Sequence, residues 1–276
     1  MQYKLIALDL DGTLTNSKKE VSPRNKEAIR KAAEKGVKII LASGRPLVGV
    51  EPVADVLDLR KIGGYILAYN GGHIVDCSTG ESLIRETIPE EYYADICTLK
   101  DRFDGFEILT YSHAGVIATS AADRYVNLEA KINRIPVFQP ENLLSAIEGP
   151  VCKFLAVGEY EKLKEVQTYL KTKYPGKLNV FFSETYFLEI VPPGIEKAAS
   201  LEKLLRKLGH TREELIACGD GLNDITMISY AGLGAVMENG QDALKERADY
   251  ITDTNDNDGV AEVIEKFILE YPEYRL

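Results

Sequence analysis

The chain has 276 residues, 45% of them apolar and 28% charged, with 22 Gly and 11 Pro. That composition excludes wholesale disorder and fibrous repeats, and the length suffices for one large domain or two modest ones. With 33 Lys and Arg against 43 Asp and Glu, the net charge of −10 lacks the basic footprint that a nucleic-acid or membrane-surface partner needs.

Residues 3–8 form a short apolar run, the pattern of a buried strand. Residues 22–35 open with Ser-Pro, keep Ala28, Ile29, Ala32 and Ala33 on one face and stop at Gly36, which predicts a helix. A second buried strand is expected at 37–42, a helix at 46–57 that Gly49 and Pro52 weaken, and a third strand at 65–69. Strands alternating with helices at this spacing imply parallel βαβ units. The pattern then changes. Residues 72–76 and 82–87 flank Ser-Thr-Gly, a hairpin signal. Helices follow at 90–103, 123–133 and 160–173, with strands at 106–111, 115–119, 151–157, 178–182 and 186–191. Such a sheet with helices on one face is an α+β layer. After Pro192-Pro193-Gly194 the alternation returns: helix 196–208, strand 215–218, helix near 223–231, strand 234–236, helix near 242–246, strand 250–251 and a last helix at 257–269. The expected fold is α/β, a doubly wound and mostly parallel Rossmann-like core. Residues 1–83 and 194–276 form that core, and an α+β domain is inserted at 84–193.

The first apolar run stops at Asp9, too short for a signal peptide. The longest stretch without a formal charge, 108–122, falls short of the ~20 residues of a spanning helix. Cys77, Cys97, Cys152 and Cys218 form no CxxC pair and have no zinc spacing to a histidine, so they read as scattered reduced thiols. A cytoplasmic protein without a membrane or nucleic-acid partner is expected; oligomeric state is not readable.

An anionic ligand would have to meet local positive charge, and four segments offer it. The first strand ends in Asp9-Leu10-Asp11-Gly12-Thr13. In open parallel sheets ligands bind beyond the carboxyl ends of strands. Asp9 and Asp11, two apart, point the same way, and both stay ionised only with a cation between them. Asp and Gly also simply end strands in turns. The second strand runs into Ala42-Ser43-Gly44-Arg45-Pro46, where a hydroxyl, a glycine N–H and a helix start can cradle an anion. Ser43 also fits an ordinary cap, and Arg45 a surface charge. Lys197 falls in the first turn of a helix, where the macrodipole disfavours it, though a solvated lysine is the plain alternative. The strand at 215–218 ends in Gly219-Asp220-Gly221-Leu222-Asn223-Asp224. A capping turn explains one of Asp220, Asn223 and Asp224; three at one strand-to-helix turn suggest a hard-cation site suited to Mg²⁺.

Taken in this order, the four segments resemble the haloacid dehalogenase superfamily, and within it the Cof-like sugar-phosphate phosphatases with an inserted α/β cap. Asp9 to Leu14 match the first family motif, Ser43-Gly44-Arg45 the second, Lys197 the third and Gly219 to Asp224 the fourth; Tyr69-Asn70-Gly71-Gly72 resembles the Asn-Gly segment before the cap. Ala198 departs from the glycine that often follows the lysine. The resemblance implies that Asp9 is the nucleophile and Asp11 the acid/base. It implies Mg²⁺ held by the Asp9 carboxylate, the Asp11 backbone carbonyl and Asp220. Asp224 would be a direct ligand or, preferably, would orient water or Lys197. Ser43, Gly44, Lys197 and Asn223 would hold phosphate oxygens, with Leu10 contributing its backbone. His113, Arg124 and Tyr186 are candidate substrate contacts in the cap. The expected function is a Mg²⁺-dependent phosphatase of small phosphorylated metabolites, most readily sugar phosphates. A phosphomutase and a non-catalytic phospho-aspartate switch are the alternatives.

Overall fold

The computed structural model describes residues 3–270. In chain order the elements are β1 (Leu5–Leu8), α1 (Pro23–Glu34), β2 (Lys38–Ala42), α2 (Leu47–Val56), α3 (Leu59–Ile62), β3 (Gly64–Ala68), β4 (His73–Asp76), β5 (Ser82–Arg85) and α4 (Tyr93–Cys97). Next come β6 (Phe106–Ser112), β7 (Gly115–Ala118), α5 (Arg124–Asn133), β8 (Val137–Phe138), β9 (Phe154–Gly158), α6 (Tyr160–Lys173), β10 (Asn179–Glu184) and β11 (Phe187–Val191). The chain continues through α7 (Lys197–Leu208), β12 (Leu215–Gly219), α8 (Ile225–Tyr230), β13 (Leu233–Met237), α9 (Asp242–Lys245), β14 (Tyr250–Thr252) and α10 (Gly259–Ile264).

Two compact units result, one from residues up to Ile84 and from Glu196 onward, the other Arg85–Ile195. The first unit carries an eight-stranded sheet ordered β14-β13-β12-β1-β2-β3-β4-β5. Pairing is parallel from β14 through β3 and antiparallel between β3 and β4. The protein is therefore α/β with a doubly wound, mostly parallel sheet. Alternation along β1 explains why its run is wholly apolar. Ile6 and Leu8 pack with Ile29 of α1 and Val260 of α10. Leu5 and Ala7 pack with Leu201 and Leu204 of α7 and Met227 of α8 on the other face. A sheet covered on both faces has no place for a polar residue until a strand ends. Each fully buried Leu or Ile contributes roughly 1.5–3 kcal/mol, so the strand ends are held firmly. Register aligns them: Leu8 lies opposite Leu41 of β2 and Cys218 of β12.

In the second unit the sheet order is β10-β11-β9-β6-β7-β8, antiparallel except for β7 with β8. Helices were expected on one face, but both are covered. Ile108, Phe154 and Ala156 pack with Leu163 and Val166 of α6. Leu109, Leu155 and Val157 pack with Val126 and Ala130 of α5. Neighbouring residues of β6 and β9 are both apolar, so neither face tolerates water.

Other differences have local causes. The helix expected at 90–103 breaks into a turn at Glu90–Tyr92, α4 and a turn at Leu99–Asp101. Thr98 caps the end of α4: its N–H and its hydroxyl both donate to the Ala94 carbonyl, at 3.1 and 2.7 Å. The strand expected from 151 begins at Phe154. Side chains take the preceding backbone groups: Val151 N–H donates to the Tyr93 hydroxyl at 2.7 Å, and the Lys153 carbonyl accepts from the Thr110 hydroxyl at 2.8 Å. The last helix starts at Gly259 because Asp258 sits at φ +63°, where its carboxylate accepts the Ser22 hydroxyl that caps α1. Among the described residues no helix is long and apolar enough to cross a membrane.

Candidate active site

The site grows from the place where β1 meets β12. Beyond Leu8 the ladder extends one step, with Asp9 N–H donating to the Cys218 carbonyl at 3.0 Å. The chain then turns at Gly12, whose φ is +82° and where a Cβ would lie 2.3 Å from Asp220 Oδ2. Only glycine lets the turn pass this close. The Thr13 hydroxyl donates to Asp220 Oδ1 at 2.7 Å, and Asn239 Nδ2 donates to the Gly12 carbonyl at 2.8 Å. These bonds fix the turn after β1 against the ends of β12 and β13.

Into this junction α7 sends its first residue. Lys197 Nζ donates to Asp9 Oδ1 and Asp224 Oδ1, each at 2.6 Å. The Lys197 and Asp224 side chains are 0% exposed. A lysine at a helix start opposes the helix dipole, and two carboxylates compensate it. The other oxygen of Asp224 accepts from the backbone N–H groups of Asp220 and Gly221, both at 3.0 Å. Carboxylate oxygens of Asp9, Asp220 and Asp224 all lie within 4.8 Å of one another.

One ammonium cannot balance three carboxylates. Burial first, and then the Asp224 charge, push the Asp9 carboxyl up to about 8 despite Lys197. Burial, against the Thr13 hydrogen bond and with the Asp224 charge, raises Asp220 to about 6. Burial pulls Lys197 down, but Asp224 and Asp9 outweigh it and hold its ammonium charged well above the usual range. Such a donor set, all hard oxygens with excess negative charge, fits a small divalent cation.

Asp11 faces a different set of partners. Its carboxylate takes a bidentate pair from Arg45, Nε to Oδ2 at 2.7 Å and NH2 to Oδ1 at 2.6 Å, and Lys19 Nζ adds 2.7 Å to Oδ1. Burial pushes the carboxyl up, but Arg45 and Lys19 outweigh it and hold it below its ordinary value. Arg45, expected as a surface charge, is buried. Leu10 is wholly buried, and its carbonyl accepts the Thr15 hydroxyl at 2.8 Å.

The loop after β2 is tied to the turn after β3. Asn70 N–H donates to the Ser43 carbonyl and Tyr69 N–H to the Arg45 carbonyl, both at 2.9 Å. Tyr69 and Asn70 sit at φ +54° and +56°. Left-handed conformations cost of order 1–3 kcal/mol in a non-glycine residue and persist only where neighbours over-determine them. Ser43 is buried, its hydroxyl accepting the Arg45 N–H at 3.2 Å. Asn223 is exposed, its Nδ2 3.5 Å from Asn70 Oδ1.

The structure thus brings Asp9, Lys197, Asp220 and Asp224 into one cluster, joins Asp11 to Arg45, and links Ser43 and Gly44 to Asn223 through Asn70. The candidates in the second unit divide. Arg124 lies 4.4 Å from the Tyr125 ring centroid, and Tyr186 stacks on the same ring at 5.2 Å. His113 is exposed between β6 and β7. Sequence reasoning gave no role to Thr13, Lys19 or Asn70; Thr13 and Asn70 lay inside motifs already singled out, whereas nothing marked Lys19.

Residues 6–264 match the haloacid dehalogenase-like hydrolase family. The chain belongs to that family. Within it the protein is an enzyme, a phosphatase of the Cof-like branch. It is 34% identical over 277 residues to the Bacillus subtilis 5-amino-6-(5-phospho-D-ribitylamino)uracil phosphatase YcsE, covering 98% of this chain and 97% of that one. YwtE of the same organism, named for the same activity, is 30% identical over 295 residues, covering 96% and 98%. A crystal structure of a haloacid dehalogenase-like hydrolase from Bacteroides thetaiotaomicron superposes with a TM-score of 0.91 at 47% identity, covering 96% of this chain and 99% of that one.

Proposed function

We propose that the protein is a Mg²⁺-dependent phosphatase that hydrolyses small phosphorylated metabolites, sugar or sugar-alcohol phosphates, through a phosphoryl group carried on Asp9. The observation that carries this reading is the cluster in which Lys197 lies 2.6 Å from both Asp9 and Asp224, with Asp220 beside them. A phosphoryl-transfer site needs a nucleophile, placed cations and an acid/base; the cluster has candidates for the first two, and Asp11, two residues after Asp9, is the candidate for the third. The substrate class draws on two relatives named as phosphatases of a phosphoribityl compound.

The Asp9 carboxylate, the Asp11 backbone carbonyl and Asp220 would hold Mg²⁺. Bound there, the ion offsets the negative charge of the cluster and of the phosphoryl oxygens. Asp224 spends one oxygen on Lys197 and the other on two backbone N–H groups, which suits it to positioning Lys197 rather than to direct ligation. An Asp9 oxygen attacks phosphorus, the bond from phosphorus to the ester oxygen breaks, and a proton from Asp11 neutralises the departing alcohol. Asp11, ionised again, removes a proton from the water that attacks the aspartyl-phosphate, freeing phosphate and regenerating Asp9. Lys197, Ser43, Gly44 and Asn223 hold the phosphoryl oxygens throughout, so their donors need no rearrangement as charge moves. Arg45 and Lys19 favour the ionised Asp11 of the base half; the acid half starts from an Asp11 that has first taken a proton from solvent, and that proton passes to the alcohol.

We assign substrate choice to the inserted residues 84–193 as a cap, and a cytoplasmic setting is part of the same reading, supported by four free cysteines. Wild-type and Asp9→Asn protein incubated with Mg²⁺ and an aryl phosphate test the chemistry. Phosphate release by the wild type alone is expected; undiminished turnover by the variant excludes Asp9 as the nucleophile. Free phosphate, rather than an isomerised ester, separates a phosphatase from a mutase.

A further inference from the structure

One polar side chain at this site has no role in the reading above. Asn70 is the middle residue of the turn at Tyr69–Gly71 that follows β3. Its backbone, at φ +56° and ψ +26°, is held there from outside by the Ser43 carbonyl, and its neighbour Tyr69 by the Arg45 carbonyl. The turn and the loop at 43–45 are therefore one piece. This arrangement aims the carboxamide. A Cβ built on Gly44 would meet Asn70 Nδ2 and Oδ1 alike at 3.2 Å, so the polar edge of the amide faces the side of Gly44 that a side chain would fill. On its other side Asn70 Oδ1 is 3.5 Å from Asn223 Nδ2. Accepting from Asn223 with Oδ1 leaves Nδ2 as the group that donates elsewhere. Gly44 and Asn223 arrive from segments far apart in sequence, and Asn70 stands between them.

We propose that Asn70 is a further anion contact of the site, its Nδ2 donating to a non-bridging oxygen of the phosphate ester beside Gly44 and Asn223. This rests on the phosphatase reading and adds a residue to it. A neutral donor suits the position, since Lys197 and a bound cation already supply charge. The left-handed backbone also explains why asparagine serves: with glycine it adopts αL more readily than other residues, and it alone of the two carries a donor.

Asn70→Gly is the discriminating variant, because glycine keeps the αL backbone and removes only the carboxamide. The Michaelis constant for an aryl phosphate and the inhibition constant of inorganic phosphate should both rise roughly tenfold, with kcat changing less and Tm held or raised. Asn70→Asp, which also tolerates αL, places a carboxylate against the anion and should weaken phosphate binding by about a hundredfold. Phosphate inhibition in Asn70→Gly indistinguishable from wild type overturns the proposal, as does a rise confined to the ester, which would put the contact on the leaving group. A wild type that neither hydrolyses the ester nor is stabilised by phosphate with Mg²⁺ fails the phosphatase reading itself, and the Asn70 assignment with it.

Discussion

At the carboxyl ends of β1 and β12, Asp9 and Asp224 share one buried ammonium from Lys197, with the Asp220 carboxylate beside them. In the sheet of the second unit charge is also buried, but it is matched. Lys153 Nζ lies 3.1 Å from Glu189 Oε2, and the Ser183 hydroxyl donates to Glu189 Oε1 at 2.9 Å. Nearby the buried Glu129 carboxylate is held by neutral donors instead, the Tyr111 hydroxyl at 2.6 Å and Asn133 Nδ2 at 2.8 Å. Burying charge is costly in either place, and the Lys153–Glu189 pair, balanced within its own sheet, gains a fixed geometry and nothing to bind. A cluster left with excess carboxylate is completed only by a cation from outside. Charge imbalance, rather than burial, separates the site from the scaffold.

The largest expected effects strike the unbalanced cluster. Asp9→Asn should lower phosphatase turnover by on the order of 10⁴-fold or more, measured as released phosphate. Lys197→Met removes the cation that two buried carboxylates share and should destabilise the fold by about 3–5 kcal/mol in urea unfolding, besides removing activity. The matched pair should behave otherwise. Replacing Lys153 by Met and Glu189 by Leu together should leave stability unchanged or raise it by about 1–4 kcal/mol. A loss as large as that of Lys197→Met would erase the contrast between the two regions.

Stability against pH sharpens the comparison. Asp9 is raised from 3.8 to about 8 in the folded protein, so its contribution is full below the unfolded value and is lost as pH rises through about 8. Without metal, the Tm of wild type should therefore fall relative to Asp9→Asn between mildly acidic and alkaline pH. Mg²⁺ should reverse this most strongly at the alkaline end, where it no longer competes with a proton. A difference between the two proteins that stays flat with pH would contradict the charge imbalance. Gly12→Ala carries a smaller effect. Its Cβ must displace Asp220 and adopt φ +82°, costing about 1–2 kcal/mol and raising the Mg²⁺ concentration for half-maximal activity.

Much of this was legible in the sequence because buried parallel strands are unbroken apolar runs, so a polar motif at their end marks the sheet edge. That is why the sequence places Asp9, Ser43 and Asp220 at the carboxyl ends of their strands. Lys197 stood out for the opposite reason, a cation where the helix dipole disfavours one. What stayed hidden depends on partners distant in sequence. The fate of Arg45 was unreadable because its partner, Asp11, lies 34 residues earlier on another strand end. Nothing local predicts a left-handed Tyr69, which exists only because the loop at 43–45 offers carbonyls to the turn. Asp258 delays an expected helix through a left-handed backbone and a bond to the Ser22 hydroxyl that a hydrophobic pattern does not register.

The most direct measurement is a calorimetric titration of Mg²⁺ into chelator-treated wild type and Asp220→Asn, run beside an aryl phosphatase assay. The account predicts one saturable site in the wild type, weakened roughly tenfold or more in the variant, with turnover rising as the site fills. Turnover that persists in chelator, with no heat of Mg²⁺ binding in the wild type, would contradict it.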